Sequence, residues 1–509
     1  MRCIAHRCAD RLRPVRCGRH SHPTNACVAS LTGVLLGFDL CVAGAILTPV
    51  QRSLQLCYPC PGNYTDADLA ACSCASKELA ISAVSIGATF GALLGGLVAD
   101  LFGRRLALLA SDVLFGAGGV AMACATPQMA WAFFSGRAAV GLGLGLGGSA
   151  ASAFLAEIAP SAWRGRFLEF NECAVCVGCL GAYALAFALG DSLWRVSIGL
   201  TVVVALVQFV LILAVLHESP SWLASHGRVR HASRARRALS SASSSSSSSS
   251  TTTTTTASSS SSSCAANSDA ADDELATPAQ EQSLSATLRA LRRARRPLLL
   301  ALGVATAHAL TAANTVLYYS RDVLALAGIR DALLASTTVG VAKVVGVAGA
   351  FALTDRLGRR VLLLGGTASM IVALGGLAVA FAEAVRPRST LAFVALLLFI
   401  LGWDVSWAGL MLTVVAEVLP QPVRGAGTGL AYALYWMLSF LSAQFLETVM
   451  HGLGIAHTFG AIAMLCTLVL LWTWRYVPET ANRTLEQMER PPPSQDRAPG
   501  GEGRGRRPR

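Results

Sequence analysis

Long apolar runs separated by short polar turns organise the chain. Twelve runs approach the roughly 20 residues that an α-helix needs to cross a bilayer core of about 30 Å. They lie at 27–48, 78–99, 106–124, 128–150, 168–189, 194–216, 297–319, 331–353, 361–383, 389–412, 425–448 and 456–477. Several are rich in Gly, Ala and Ser, which let helix backbones approach closely inside a bundle. In the second run Gly87, Gly91 and Gly95 recur every four residues and so share one helix face. The fourth carries Gly141, Gly143, Gly145 and Gly147. That string lacks the Lys-Ser/Thr ending of a phosphate-cradling loop and sits within an apolar span, so it reads as helix packing. The pattern predicts an all-α membrane protein with twelve transmembrane helices.

Composition sharpens this reading. Only 14% of residues are charged and 53% are hydrophobic, against roughly 25% charged in soluble domains, which excludes an ordinary cytosolic enzyme. The net charge of +12 comes from 41 basic and 29 acidic residues. Lysine occurs only at Lys77 and Lys343. The arginines form short clusters between apolar runs, without a basic face interleaved with stacking aromatics, so nucleic acid is not the implied partner. Residues 1–20 hold six arginines and one acid. Arg104–Arg105, Arg164, Arg166, the 228–237 and 289–296 clusters, Arg359–Arg360, Arg424 and the tail arginines 504, 506, 507 and 509 follow. All fall on one side of a twelve-helix zigzag, and the positive-inside rule makes that side cytoplasmic. An organellar targeting role for the basic N-terminus is the alternative reading of that segment.

Five segments result: a basic cytoplasmic N-terminus (1–26), a six-helix bundle (27–223), a cytoplasmic loop (224–296), a second six-helix bundle (297–477) and a cytoplasmic tail (478–509). Within the loop, residues 240–263 are almost pure Ser and Thr, and Asp269–Glu281 is mildly acidic. Such a composition cannot bury a core and predicts a disordered linker.

The chain has fifteen cysteines. Cys57, Cys60, Cys72 and Cys74 fall in the loop between the first two runs, opposite the arginines. Spacing alone resembles a zinc cluster. The same loop carries Asn63-Tyr64-Thr65, a glycosylation acceptor used only on the lumenal side, and an oxidising compartment favours two disulfides of open connectivity. Cys173, Cys176 and Cys179 recur every three residues and read as small packing residues on one helix face, with a metal or redox role as the alternative.

The two halves repeat each other. Asp100-Leu101-Phe102-Gly103-Arg104-Arg105 after run two matches Asp355-Arg356-Leu357-Gly358-Arg359-Arg360 after run eight. Glu157-Ile158-Ala159-Pro160 with Arg164-Gly165 matches Glu417-Val418-Leu419-Pro420 with Arg424-Gly425. Duplicated six-helix bundles are the architecture of a rocking transporter with its substrate near the midplane.

Further strings add a family. Gly37-Phe38-Asp39, the paired Gly-Arg-Arg turns, Gly136-Arg137, Glu218-Ser219-Pro220-Ser221-Trp222-Leu223, Asn314 with Tyr318-Tyr319, and Pro478-Glu479-Thr480 with Arg483-Thr484-Leu485-Glu486 occur in order. From about residue 31 to 489, linker apart, the chain resembles the sugar porter branch of the major facilitator superfamily. The resemblance implies the major facilitator fold and alternating-access transport of a monosaccharide or polyol. Proton symporters of that family carry Asp where Asp39 stands, opposite the position of Arg137, and the pair is expected to couple a proton to transport. The alternative is a permanent structural ion pair. An ionisable group within an apolar span is costly and commonly marks an ion or proton path.

The implied substrate site departs from the family pattern. Glu172 follows Asn171 where Gln is usual, as in plant polyol symporters and one animal subgroup. His308-Ala309 replaces Gln-Gln, while Asn314 and Tyr318 remain. The tenth-helix tryptophan is Leu412, and Tyr435 stands where Asn is common, beside a retained Trp436. Trp403 and Asp404 are candidates for a substitute ring and acceptor, unless Asp404 lies at a membrane boundary. Lys343 resembles a lysine of the same polyol and animal subgroup and is expected to pair with an acid in the second half.

Asp100, Arg104, Glu157, Arg164, Asp355, Arg359, Glu417 and Arg424 are expected at the cytoplasmic ends of helices. There they would pair across the halves in one state and part in the other, with topology anchoring by the arginines as the plainer role. Neither a Ser-His-Asp set, a metal-ligand pattern nor a Walker motif occurs, so no catalytic residue, metal or cofactor is expected and ATP does not supply the energy. The expected partners are a monosaccharide or polyol, protons and the lipid bilayer. A passive hexose facilitator and a non-transporting sugar sensor are the other functions compatible with the sequence. The loop cysteines and Asn63 favour the plasma membrane, with a vacuole as the alternative.

Overall fold

The computed structural model describes residues 22–57, 74–159, 164–240, 284–382, 388–420 and 423–480. Twelve helices among them are long and apolar enough to cross a membrane, and no strand occurs among these residues. The first six are α1 (His22–Ser53), α2 (Ala75–Phe102), α3 (Arg104–Ala123), α4 (Ala130–Ile158), α5 (Arg164–Leu189) and α6 (Trp194–Ala214). The second six are α7 (Arg295–Tyr318), α8 (Ala332–Leu357), α9 (Arg359–Ala380), α10 (Arg388–Val418), α11 (Arg424–Leu453) and α12 (Ile455–Tyr476). Between the halves lie the short helices Pro220–Ser225, Val229–Ser240 and Leu284–Arg293. Residues 1–21, the loop with Cys60, Asn63 and Cys72, the Ser/Thr tract and the tail beyond Thr480 fall outside the described residues.

Side-chain size explains the packing of the first half. α2 crosses α4 where Gly87, Gly91, Gly141 and Gly145 interlock. A Cβ at any of them would fall on a carbonyl oxygen of the facing helix, at Ala138, Leu142, Val84 and Ala88 respectively. Gly143 and Gly147 face α3 instead, where Ser111 Oγ donates 2.7 Å to Gly143 O. The glycine string of α4 thus serves two neighbours, one on each side. α1 and α5 meet in the same way through Gly37 and Gly178.

The opposite faces stay apolar. Leu97, Leu206, Val372, Met464 and Leu468 are among the large exposed hydrophobic side chains. Such a belt is unfavourable in water and suits hydrocarbon. The halves touch mainly where α2 meets α11 and α5 meets α8. α1, α4, α7 and α10, with α5, α8 and α11, contribute the buried polar side chains considered next.

Two helices are interrupted. α7 breaks at Leu310–Ala313, where Ala312 takes φ 53°, a left-handed value that costs a non-glycine residue about 1 kcal/mol or more. A second helical piece, Ser320–Leu326, continues beyond α7. α10 widens into a π-helical turn at Asp404–Ala408. Gly346 of α8 and Gly366 of α9 make room for that turn, since a Cβ on either would meet Asp404 or Ser406. Interruptions of this kind recur where transporters bind their cargo.

Candidate functional site

At the seam between the halves the chain concentrates its buried polar groups. In the first half, Arg137 Nη1 of α4 donates 2.7 Å to Asp39 Oδ2 of α1, and both side chains are 0% exposed. Arg137 also donates to the carbonyls of Ala80 (3.2 Å) and Ile81 (3.4 Å) of α2. Asp39 Oδ1 is buried without a hydrogen-bond partner among the described residues. From the second half, the Tyr318 hydroxyl reaches the same pair and lies beside Arg137 and Ser85. The two residues singled out from the sequence are therefore one ion pair, at the interface of the bundles.

In the second half a small cavity, with room for about one water molecule, opens at the break in α7. It is lined by His308, Asn314 and Thr315 of α7 with Tyr435, Ser439 and Ser442 of α11, among others. The His308 ring stacks on Tyr435 with centroids 4.7 Å apart, and lies 5.8 Å from Trp403 and 5.9 Å from Trp407. Asn314 Nδ2 donates to the Tyr435 hydroxyl.

Trp403 Nε1–H donates to His308 Nε2 at 3.2 Å. Because an indole nitrogen only donates, Nε2 must accept, and the proton of the neutral imidazole sits on Nδ1. Nδ1 is buried and has no partner among the described residues. The site therefore holds an unused N–H donor beside a face of aromatic rings, the two features that polyhydroxylated molecules use. Tyr432 and Trp436 complete the aromatic cluster, 5.9 and 4.9 Å from Tyr435.

Behind Trp403 lies a second buried ion pair. Lys343 Nζ of α8 is 2.8 Å from Asp404 Oδ1 of α10, with side chains 1% and 0% exposed, and stands 4.3 Å above the Trp403 ring. Asp404 thus lies deep in the bundle rather than at a membrane boundary. Lys343 engages one carboxylate oxygen, Oδ1, while Oδ2 is buried without a hydrogen-bond partner among the described residues, and Trp403 contributes a ring beside the cavity. Cys176 Sγ lies 3.8 Å from Asp404 Oδ1, and Glu172 of α5 is within electrostatic reach of both members of the pair. Leu412 packs against the core.

The cysteines divide. Cys57 and Cys74 form a disulfide; Cys60 and Cys72 lie outside the described residues. Cys179, read from its spacing as a packing residue, is paired with Cys41 of α1 as a disulfide, their Cα atoms 5.0 Å apart, because Gly37 and Gly178 bring α1 and α5 so close. Cys173 and Cys176 are free thiols.

At the arginine-rich end, Arg104 pairs with Asp100 (2.9 Å) and Glu157 (2.8 Å), and Glu157 also accepts from Ser219 Oγ. In the second half Arg359 lies 3.5 Å from Glu417, and Arg424 Nε donates to Leu419 O at 3.3 Å. These contacts stay within one half. The side chains of Arg164 and Asp355 are not among those described.

The family strings after α6 and α12 prove to be helix caps, which spacing alone did not indicate. Glu218 accepts the amides of Arg104 (2.9 Å) and Arg105 (3.2 Å), and Glu479 those of Arg359 (3.0 Å) and Arg360 (3.1 Å). A carboxylate at a helix N-terminus satisfies otherwise open donors and complements the dipole. Gly103 (φ 100°) and Gly358 (φ 87°) leave space for it, since a Cβ would collide with the glutamate. Burial pushes the Glu218 carboxyl up from its ordinary range, opposed by the amides of Ser219, Arg105 and Arg104.

A duplicated twelve-helix bundle with broken helices and ion pairs at its seam is a membrane carrier of the major facilitator type. The chain matches the sugar (and other) transporter family over residues 25–491 and belongs to that family. It is 28% identical over 466 residues to a probable plastidic glucose transporter 3 of Arabidopsis thaliana, covering 91% of this chain and 86% of that protein. It is 27% identical over 471 residues to a probable polyol transporter 4 of the same plant, covering 91% and 83%. Its fold is similar to that of the xylose transporter XylE from E. coli in a partially occluded inward open conformation. That match has a TM-score of 0.71 at 22% identity and covers 91% of this chain and 99% of that one. The protein is therefore a multi-pass transporter of the sugar family, not an enzyme.

Proposed function

We propose that this transporter moves a monosaccharide or polyol across the plasma membrane by alternating access, in symport with a proton carried by Asp39. The arginine-rich end faces the cytoplasm. The observation that carries the proposal is the fully buried Asp39–Arg137 pair with one carboxylate oxygen left without a donor. Rearrangement of Arg137 would free the carboxylate for a proton, and re-forming the pair would expel it. Because Tyr318 of the second half lies beside the pair, movement of one bundle against the other bears directly on it.

The substrate binds at the cavity between α7 and α11, which must widen to admit it. His308 Nδ1–H donates to one hydroxyl, Asn314 and Tyr435 serve others, and the rings of Tyr435 and Trp403 take the apolar face of the sugar. Glu172 approaches from the first half, and Trp436 backs Tyr435. The names of relatives, one for glucose and one for polyols, agree with that chemistry. At the arginine end, Asp100, Arg104, Glu157, Arg359, Glu417 and Arg424, with Arg164 and Asp355, form the cytoplasmic gate.

The test is uptake of labelled hexoses, pentoses and inositol into proteoliposomes, with and without an inward proton gradient, for the native chain and Asp39→Asn. Gradient-driven accumulation that the variant loses while keeping exchange is the expected result. Equal, non-concentrative uptake by both makes the protein a facilitator and ends the coupling proposal. Absence of any uptake removes the substrate class.

A further inference from the structure

The end of the molecule opposite the arginines is closed largely by charge. Lys77, in the first turn of α2, places Nζ 2.5 Å from Glu447 Oε1 of α11 and 3.0 Å from Asp322 Oδ2 on the helix Ser320–Leu326. All three side chains are at most 5% exposed. The lysine belongs to the first half and both acids to the second, so these bonds cross the seam. Beside them Glu78 Oε1 accepts from the Thr448 amide (2.8 Å) and hydroxyl (2.9 Å), and Ser82 Oγ donates to Gln444 Oε1 at 2.6 Å. Arg321 donates to both carboxylate oxygens of Asp191, at 3.0 and 2.9 Å, and to Ala45 O at 2.6 Å.

Counting charge exposes an imbalance. Arg321 and Asp191 offset each other. Glu78 is held by neutral donors. What remains among the described residues is one ammonium, Lys77, between two buried carboxyls, Asp322 and Glu447. Among the described residues the other titratable groups facing them are Tyr319 and Glu78, and neither brings positive charge. His451 and His457 stand exposed at the outer ends of α11 and α12. Glu447 Oε2 is buried and has no hydrogen-bond partner among the described residues. A buried carboxylate without its own counter-charge is strongly unfavourable, and two carboxyls sharing one site do not both ionise readily. A single proton on Glu447, as a new O–H bond, leaves Lys77 and Asp322 paired one to one.

We propose that the closed state of this end holds one proton in the Lys77–Asp322–Glu447 cluster. It is taken from water on that side as the halves come together and returned there when they part. The site is separate from Asp39 and Arg137, and the inference rests on the alternating-access reading. Acid outside therefore favours closure, and alkali favours opening.

Amide hydrogen exchange of the full chain in nanodiscs tests this without substrate. Peptides covering residues 75–88 and 440–452 are followed at pH 6 and 8.5, corrected for intrinsic exchange. In the native chain both should be protected at pH 6 and lose protection at pH 8.5. Glu447→Gln, neutral at both values, should stay protected at both; Lys77→Met should lose protection at both. Asp39→Asn should keep the native pH dependence. A pH-independent native chain, a Glu447→Gln profile like the native one, native-like protection in Lys77→Met, or loss of the response in Asp39→Asn would each overturn the proposal. Failure to transport any polyol sinks the assigned substrate class but leaves this readout intact, so the two can fail separately.

Discussion

Removing Lys343 alone should destabilise the protein far more than removing Lys343 and Asp404 together. The pair is 2.8 Å apart with side chains 1% and 0% exposed, so neither charge has water to fall back on. Lys343→Met keeps the length of the side chain but leaves the Asp404 carboxylate with Cys176 Sγ at 3.8 Å as its remaining hydrogen-bond partner among the described residues, a thiol that is a weak donor. Breaking a buried pair from one side typically costs about 3–5 kcal/mol. The lysine also stands 4.3 Å over the Trp403 ring, a cation–π contact worth about 2 kcal/mol when desolvated. Asp404→Leu on its own strands the ammonium and should cost a similar amount. The double substitution replaces both charges by apolar groups, a change that for buried pairs is far less costly than removing one partner. A double-mutant cycle should therefore show a coupling energy of about 2 kcal/mol or more. The assay is thermal unfolding of the four proteins in one detergent, with midpoints expected to fall sharply for each single variant and recover in the double. Additive losses would show that each side chain acts alone and refute the electrostatic account.

His308→Ala removes the acceptor of the Trp403 N–H, and leaving that buried donor unmet costs about 1–3 kcal/mol. The apparent affinity for the transported polyol should fall, and His308→Gln should recover part of it in competition uptake; an unchanged affinity in His308→Ala would separate His308 from the substrate. Gly145→Leu drives a side chain into the Ala88 carbonyl, and overpacking of about 1–3 kcal/mol or more should abolish a monodisperse peak in size-exclusion chromatography. Gly96→Ala, where a Cβ meets nothing within 4 Å, should leave that peak unchanged. Glu218→Ala uncaps α3 and should lower the thermal midpoint by the equivalent of about 1 kcal/mol, with Glu218→Gln restoring part because it keeps one acceptor. Identical midpoints for all three proteins would remove the capping role.

The sequence announced the twelve spans because crossing hydrocarbon demands a length that few soluble helices share. It placed their ends less well. α2 runs from Ala75 to Phe102 and α11 from Arg424 to Leu453, beyond the apolar windows, since a helix can continue into polar surroundings after its hydrophobic stretch ends. Asp39 and Arg137 could be paired in advance because the family that the chain resembles sets these positions opposite each other, and each stands out as a charge in an apolar run. Lys77 was visible as one of two lysines, but its partners Asp322 and Glu447 lie about 245 and 370 residues away, and such distances carry no periodic signal. The π-helical turn at Asp404 left no local trace either, because widening one turn depends on the glycines of α8 and α9 facing it.

The residues lining the cavity come from α7 and α11, both in the second half. If the proposed site holds the solute while the two bundles rock, the solute rides as a passenger of that half and keeps its neighbours throughout the journey. The first half moves past it like a shutter, and Glu172 is the acid it brings within reach. A label fixed to the solute should accordingly keep constant distances to α7 and α11 through the cycle, while its distance to α5 swings with each turnover.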